Sequence, residues 1–341
     1  MTIPIKVYSA AAVSACVTVL IALPMWRKWC LRTGLVDDPG QRKIHDRPIP
    51  LAGGLAVMTG LLAPTLIACG VLWWQSAGGN AEKTPFGPGF SLLDRDSAFF
   101  LQYGLEHRAT ELVGIFVGAF GMLCVGWLDD RRELSPQAKF AGQLCIAGLV
   151  AASGARITLF VPNTIFSYAI TILWILTVVN AFNFMDNMNG LCTGLGTIGA
   201  YHFAIIAATD DQYLVALIAF LTFGALLGFL PYNFPRARAF LGDSGSHLVG
   251  YLLAVLAILP HFYTVRNPRR WAVLIPLLVL AIPLADMVWV VVLRWRMRQA
   301  FYHGDTNHLS HRLVRRGLTQ TQAVLVIWAA AEALSLLTYL C

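Results

Sequence analysis

Apolar residues run along this chain in long unbroken stretches, separated by short polar connections. Ten such stretches lie near Ile5–Trp26, Leu51–Trp74, Leu112–Leu128, Gln137–Ser153, Ile165–Ala181, Gly190–Ala208, Tyr213–Leu230, Ser246–His261, Trp271–Leu293 and Gln320–Leu340. About 20 apolar residues in a helix cross the hydrocarbon core of a bilayer. A strand would have to alternate in polarity and close into a barrel to do the same. Continuous stretches therefore predict an all-α membrane protein, a bundle of about ten transmembrane helices. No internal repeat, low-complexity tract or second soluble domain interrupts the pattern, so residues 1–341 are expected to form one integral-membrane domain.

Composition sharpens this picture. The chain is 57% hydrophobic and 13% charged, whereas soluble domains carry about 25% charged residues. The net charge of +7 fits basic loops and anionic partners, not nucleic acid, for which no signature is present. Cysteines such as Cys16, Cys69, Cys124, Cys145 and Cys192 sit inside apolar runs with no C-x-x-C, and read as small core residues. The first run leads into Trp26-Arg27-Lys28 rather than a small-residue cleavage site, which reads as a retained span and not a signal peptide.

Placing Arg27–Pro50 in the cytoplasm and alternating from there puts 17 of the 25 lysines and arginines on that side, as the positive-inside rule requires. Arg266–Arg270 departs from the rule. Both termini then lie outside, as does Gln75–Thr110, a spacer or lid without readable chemistry.

Nearly every polar cluster that looks chemical falls in the cytoplasmic loops or at the helix ends touching them. Asp37–Pro50, with Arg47, precedes Gly53-Gly54 at a helix start, a pattern that suits phosphate or an ordinary basic loop. Asp129-Asp130 ends an apolar span where charge is costly; Lys139 and Gln143 follow one helical turn apart. Asn180, Asn183, Asp186, Asn187 and Asn189 crowd the connection between two spans, and their hard oxygens suit Mg²⁺. Phe240-Leu241-Gly242-Asp243-Ser244 opens another span, either as a cap or as a site that phosphate or metal approaches closely. His308, His311 and Arg312, followed by Arg315 and Arg316, suit diphosphate or sugar hydroxyls. Asp286 lies within the ninth span, as a functional acid or the partner of a buried cation.

In this order the five clusters resemble the polyprenyl-phosphate N-acetylhexosamine-1-phosphate transferases, over about Leu31 to Leu318. The resemblance implies a multi-pass enzyme of the bacterial inner membrane with a cytoplasmic active site. It would move N-acetylhexosamine 1-phosphate, GlcNAc-1-phosphate above all, from a UDP-N-acetylhexosamine donor to undecaprenyl (polyprenyl) phosphate. UMP is released, in a first membrane step of cell-envelope polysaccharide synthesis. It assigns Asp129, Asp130 and Lys139 to catalysis, with the acidic pair acting on the acceptor phosphate. Asn183 and Asp243 become ligands of Mg²⁺, for which Mn²⁺ would substitute. Arg47, Asn180, Asp186, Asn189, Phe240, His308, His311 and Arg312 fall to the nucleotide and sugar. A homodimer is compatible with it.

Three positions depart from the family pattern. Asn187 stands where glycine is usual, which should be a conformational difference. Ser310 stands in place of a histidine and is expected to leave a gap beside the sugar. Thr306 replaces an arginine. Three other readings compete. A secondary transporter would show repeated halves and midplane acids. A non-catalytic lipid-binding scaffold has only Asn187 and Ser310 in its favour. The phospho-N-acetylmuramoyl-pentapeptide enzymes usually carry three adjacent histidines, unlike His308-Leu309-Ser310-His311.

Overall fold

The computed structural model describes residues 4–38, 47–76, 104–159, 161–263, 269–300 and 306–340. Residues 39–46 of the first polar cluster, most of the Gln75–Thr110 connection, Arg266 and Asp305 lie outside the described residues. The helices are α1 (Ile5–Thr33), α2 (Gly53–Ser76), α3 (Ala109–Arg132), α4 (Pro136–Ser153), α5 (Thr164–Met185), α6 (Leu191–Thr209) and α7 (Tyr213–Asn233). They continue with α8 (Gly242–Leu256), α9 (Ile275–Val279), α10 (Ala281–Arg296), α11 (Leu309–Arg315) and α12 (Gln320–Leu336). Two short strands, β1 (Val36–Asp37) and β2 (Ile49–Pro50), pair antiparallel between α1 and α2.

Every apolar stretch read from the sequence is helical, but not every one is a span. Among the described residues seven helices are long and apolar enough to cross a membrane, or eight if the bent pair Arg270–Val279 and Ala281–Arg296 is one span. The expected ten are not all reached, because α4 and α8 fall short of that test. At 15 residues, α8 rises only about 22 Å. It is instead the axis of the bundle: every residue from Ser244 to Leu256 is buried, and α2, α3, α5 and α6 pack around it. The 72° bend falls at Leu280, just where Pro283 has no N–H to give the carbonyl of Val279.

Local sequence sets the helix ends next to the polar clusters. Ser135 caps α4 through a hydrogen bond from the Ala138 N–H, with Pro136 in the first turn. Thr319 and Gln322 form a capping box at the start of α12. Gly126 lets α3 meet the start of α8, since a Cβ there would lie 2.3 Å from the Asp243 carbonyl oxygen.

The interhelical connections that carry the predicted clusters are tied to one another at one end of the bundle. Phe240 N–H donates to the Pro50 carbonyl (3.0 Å) and Gly53 N–H to the Phe240 carbonyl (2.9 Å). Arg27 Nε donates to the Arg238 carbonyl (3.0 Å), and Asn189 Nδ2 to the Pro235 carbonyl (3.2 Å).

Candidate active site

Lys139 marks the centre of this end. Its ammonium lies 2.7 Å from Asp129 Oδ2, 3.3 Å from Asp243 Oδ1 and 3.4 Å from Asn183 Oδ1. Four helices, α3, α4, α5 and α8, thus bring one side chain each to a single point. Asn183 also donates from Nδ2 to Asp243 Oδ1 and to Ser246 Oγ at 3.0 Å. The Lys139 and Asp243 side chains remain 20% and 34% exposed, so a ligand can reach them.

The two adjacent acids do different things. Asp129 Oδ1 accepts the Leu134 N–H at 2.8 Å, leaving Oδ2 for Lys139. Asp130 points the other way. Its Oδ1 accepts the Asp243 N–H (2.7 Å) and its Oδ2 the Ser244 N–H (3.0 Å). A carboxylate from α3 therefore caps α8, where free N–H groups and the helix dipole favour negative charge. Gly242 allows it: its φ is +68°, and a Cβ would lie 2.7 Å from the Asp130 carboxylate. Both Asp130 oxygens are thus engaged in holding the start of α8. The glycines that open α2 likewise serve packing: Cβ atoms at Gly53 and Gly54 would meet the Phe240 carbonyl and the Gly245 nitrogen.

Asp186, at the end of α5, accepts no hydrogen bond from the described residues. Enclosure by protein, with the charges of Asp243 and Asp130 nearby, holds its carboxyl well above the usual carboxylate range. Asn180 lies one turn further inside and donates from Nδ2 to Gln143 Oε1 (2.8 Å). Gln143 continues to His247 Nε2 (3.3 Å), so Asn180 starts a buried polar chain into the bundle. Arg47 is exposed, three residues before Pro50, which binds Phe240. Half-buried Phe240 is thus tied through its backbone to the segment that follows Arg47.

The C-terminal histidines join the same end through α11. Asp286, inside α10 and 4% exposed, accepts from His308 Nδ1 at 2.7 Å and from the Leu309 N–H at 2.6 Å. The acid pairs with a buried side chain, as one of its two readings expected: it caps α11 and orients His308. His308 also meets Phe184 edge-on at 5.6 Å and His311 at 6.4 Å. Arg312 stacks over Trp289 at 4.6 Å. Ser310 is fully buried and donates to Asn187 Oδ1 at 2.7 Å. The hydroxyl faces inward and is occupied by this contact. Two departures from the family pattern thus touch each other. The third, Thr306, accepts Arg315 Nη1 on its carbonyl at 2.6 Å, a contact that any residue there would offer.

Asn233 was not singled out by the sequence. It is buried, accepts from Gly190 N–H (3.0 Å) and Thr193 Oγ1 (2.8 Å), and donates to the Ala239 carbonyl (3.1 Å). It thereby holds the Asn189 turn against the Phe240 segment. A lone asparagine at the end of an otherwise apolar run was the available signal.

Among the described residues no group of three or more His, Cys, Asp or Glu is arranged to hold a metal. Mg²⁺ does not need one, since it keeps waters and binds through one or two carboxylates plus substrate phosphate. The open carboxylate of Asp243 beside the Asn183 amide fits such a site.

Residues 112–261 match the model of the family described as glycosyl transferase family 4. A probable undecaprenyl-phosphate N-acetylglucosaminyl 1-phosphate transferase of Bacillus subtilis strain 168 is 30% identical over 326 residues, covering 93% of this chain and 80% of that protein. A decaprenyl-phosphate N-acetylglucosaminephosphotransferase of Mycobacterium tuberculosis is 29% identical, covering 96% and 80%. An undecaprenyl-phosphate alpha-N-acetylglucosaminyl 1-phosphate transferase of Escherichia coli strain K12 is 27% identical, covering 91% and 77%. With these relatives matching over nearly the whole chain, the protein belongs to glycosyl transferase family 4, in the superfamily of polyprenyl-phosphate hexosamine-1-phosphate transferases.

Proposed function

We propose that this protein transfers N-acetylglucosamine 1-phosphate from UDP-N-acetylglucosamine to undecaprenyl phosphate at the cytoplasmic face of the bacterial inner membrane, releasing UMP. The observation that carries this reading is the Lys139 ammonium held among Asp129, Asn183 and Asp243. An oxygen of the acceptor phosphate attacks the sugar-bearing phosphorus of the donor, and the bond to the bridging oxygen of UMP breaks. Both reactants are anions, so the reaction needs positive charge and fixed geometry more than covalent chemistry.

Lys139 supplies a fixed positive charge, and Asp129 aims it. Asn183 and Asp243 would hold Mg²⁺, which when bound offsets the diphosphate charge and favours departure of UMP. Asp130 keeps Asp243 in place by capping α8. Asp186 is the carboxyl suited to take a proton from the acceptor phosphate, since it accepts no hydrogen bond from the described residues and binds a proton more readily than an ordinary aspartate. Arg47 and Phe240 suit a uridine ring and its phosphate. Asn189, with His308, His311 and Arg312 on α11, suits the sugar and the diphosphate.

The test is to incubate the purified protein in lipid nanodiscs with undecaprenyl phosphate, Mg²⁺ and a panel of UDP-sugars, and to measure UMP. Release that requires the lipid and is fastest with UDP-N-acetylglucosamine supports the reading. Release with no UDP-N-acetylhexosamine overturns it, and faster release with another donor corrects the sugar.

A further inference from the structure

The helix α11 and its N-cap His308 carry three of the residues assigned to the donor, yet the helix is only seven residues long. So short a helix has little stability of its own, and its position must come from what it touches. At its start Asp286 grips His308 and the Leu309 N–H. Its second residue, Ser310, makes the other anchor to Asn187. Asn187 is itself fixed, because its Nδ2 donates to the Phe184 carbonyl at 2.6 Å. The Phe184 ring in turn meets His308 edge-on and lies under the Arg294 guanidinium at 5.1 Å.

The Asn187 side chain therefore uses both ends of its amide, one on the last turn of α5 and one on α11. Asp186 and Asn189 flank it in sequence, on the turn that faces the donor. Ser310 lies between His308 and His311. One hydrogen bond joins the turn bearing Asp186 and Asn189 to the helix bearing His308, His311 and Arg312. The Ser310 hydroxyl is wholly buried, so solvent does not compete for it and leaving it unpaired is costly.

We infer that Asn187 and Ser310 form a latch, a pair of positioning residues that sets the distance between the two halves of the donor site. Neither residue touches the reacting atoms in this role. The inference rests on the donor-site reading above, and it separates the latch from general packing: a latch acts on donor use, whereas packing would affect every property alike.

The experiment is a double-mutant cycle on the full-length protein in nanodiscs, with Asn187→Ala, Ser310→Ala and both together. Steady-state kinetics with UDP-N-acetylglucosamine and undecaprenyl phosphate are read beside hydrogen exchange across Leu309–Arg315. Each single variant is expected to raise the KM for the donor about three- to tenfold, the range of one buried neutral hydrogen bond. The KM for the lipid acceptor should stay within twofold. The double variant should be no worse than the worse single, because the second change has nothing left to remove. Exchange in α11 should quicken to the same extent in all three. Effects that multiply in the double variant, or an acceptor KM that moves as far as the donor KM, overturn the latch. Unchanged exchange in α11 overturns it even if the wild type proves inactive on every UDP-sugar. In that case the functional reading fails separately, on the wild-type assay.

Discussion

Asp130 and Asp243 lie on different helices, yet the Oδ1 atom of Asp130 accepts the backbone N–H of Asp243 at 2.7 Å. The site's most open carboxylate is therefore positioned by the main chain and not only by its own rotamer. Asp130→Asn retains one acceptor oxygen but turns an NH₂ group toward the Ser244 N–H. Half the cap is lost and two donors face each other. Thermal melting should show a loss of about 1–2 kcal/mol, the range of a helix cap, together with a lower kcat. A variant that melts like the wild type but has lost the chemical step would restore Asp130 to a direct catalytic role.

Lys139 is held by two carboxylates and an amide. Lys139→Met keeps the stem and removes the charge. Asp129 and Asp243 then repel each other and the phosphates meet no fixed cation. We expect kcat/KM to fall by about 10²-fold or more, on the order of the loss of one preorganised charge contact. A drop of less than threefold in single-turnover assays would show that the ammonium is structural.

Asp243 and Asn183 are expected to govern the metal requirement. Chelation with EDTA should abolish turnover and Mg²⁺ restore it, with Mn²⁺ as a substitute. Asp243→Asn should raise the Mg²⁺ concentration for half-maximal rate by about tenfold or more, since a charged ligand becomes neutral. An unchanged Mg²⁺ dependence in that variant would place the metal elsewhere.

Asp186 makes a prediction about pH. Burial first, and the charges of Asp243 and Asp130 second, hold its folded pKa well above the 3.8 of a free aspartate. Above 3.8 the unfolded chain has released this proton while the folded protein still holds it, so stability falls as pH rises toward the folded pKa. Asp186→Asn has no proton to lose. In metal-free buffer its melting temperature should gain on the wild type as pH is raised from 4 to 8. Parallel pH curves for the two proteins would remove Asp186 as a proton acceptor.

The sequence made the helices and the shared end of the site legible for a simple reason. Apolar continuity is a strong signal, and each chemical cluster interrupts it at a helix end. It did not reveal that α8 is an interior helix, because a buried core helix and a short span look alike in hydropathy. The pairing of Asp129 with Lys139 and of Asp130 with α8 was also hidden. Adjacent residues on a helix point about 100° apart, so two neighbouring acids serve different partners, and only packing decides which. The Ser310 contact with Asn187 was hidden for a similar reason: the size of the side chain was visible, but its direction was not. The Asp286 partner lies 22 residues away, across a connection whose path the sequence does not give.

Asp286 supports the last prediction. Its carboxylate accepts two hydrogen bonds, from His308 Nδ1 and the Leu309 N–H, while its side chain is 1% exposed. In the neutral imidazole the proton is thereby placed on Nδ1, and Nε2 is left as an acceptor. Asp286→Asn has nearly the same volume but one oxygen. If that oxygen keeps the Leu309 N–H, the amide NH₂ faces Nδ1, and the ring must move its proton to Nε2 or turn. Either change presents the donor with a different hydrogen-bonding face, so the KM for the UDP-sugar should rise about tenfold and that for the lipid should not. Asp286→Ala leaves two N–H groups buried without partners and should also lower the melting temperature. A His308→Gln change in the Asp286→Asn background then separates orientation from folding. If Asp286 acts through His308, adding the second change should cost little more. If the two losses multiply, Asp286 supports the helix alone and His308 works without it.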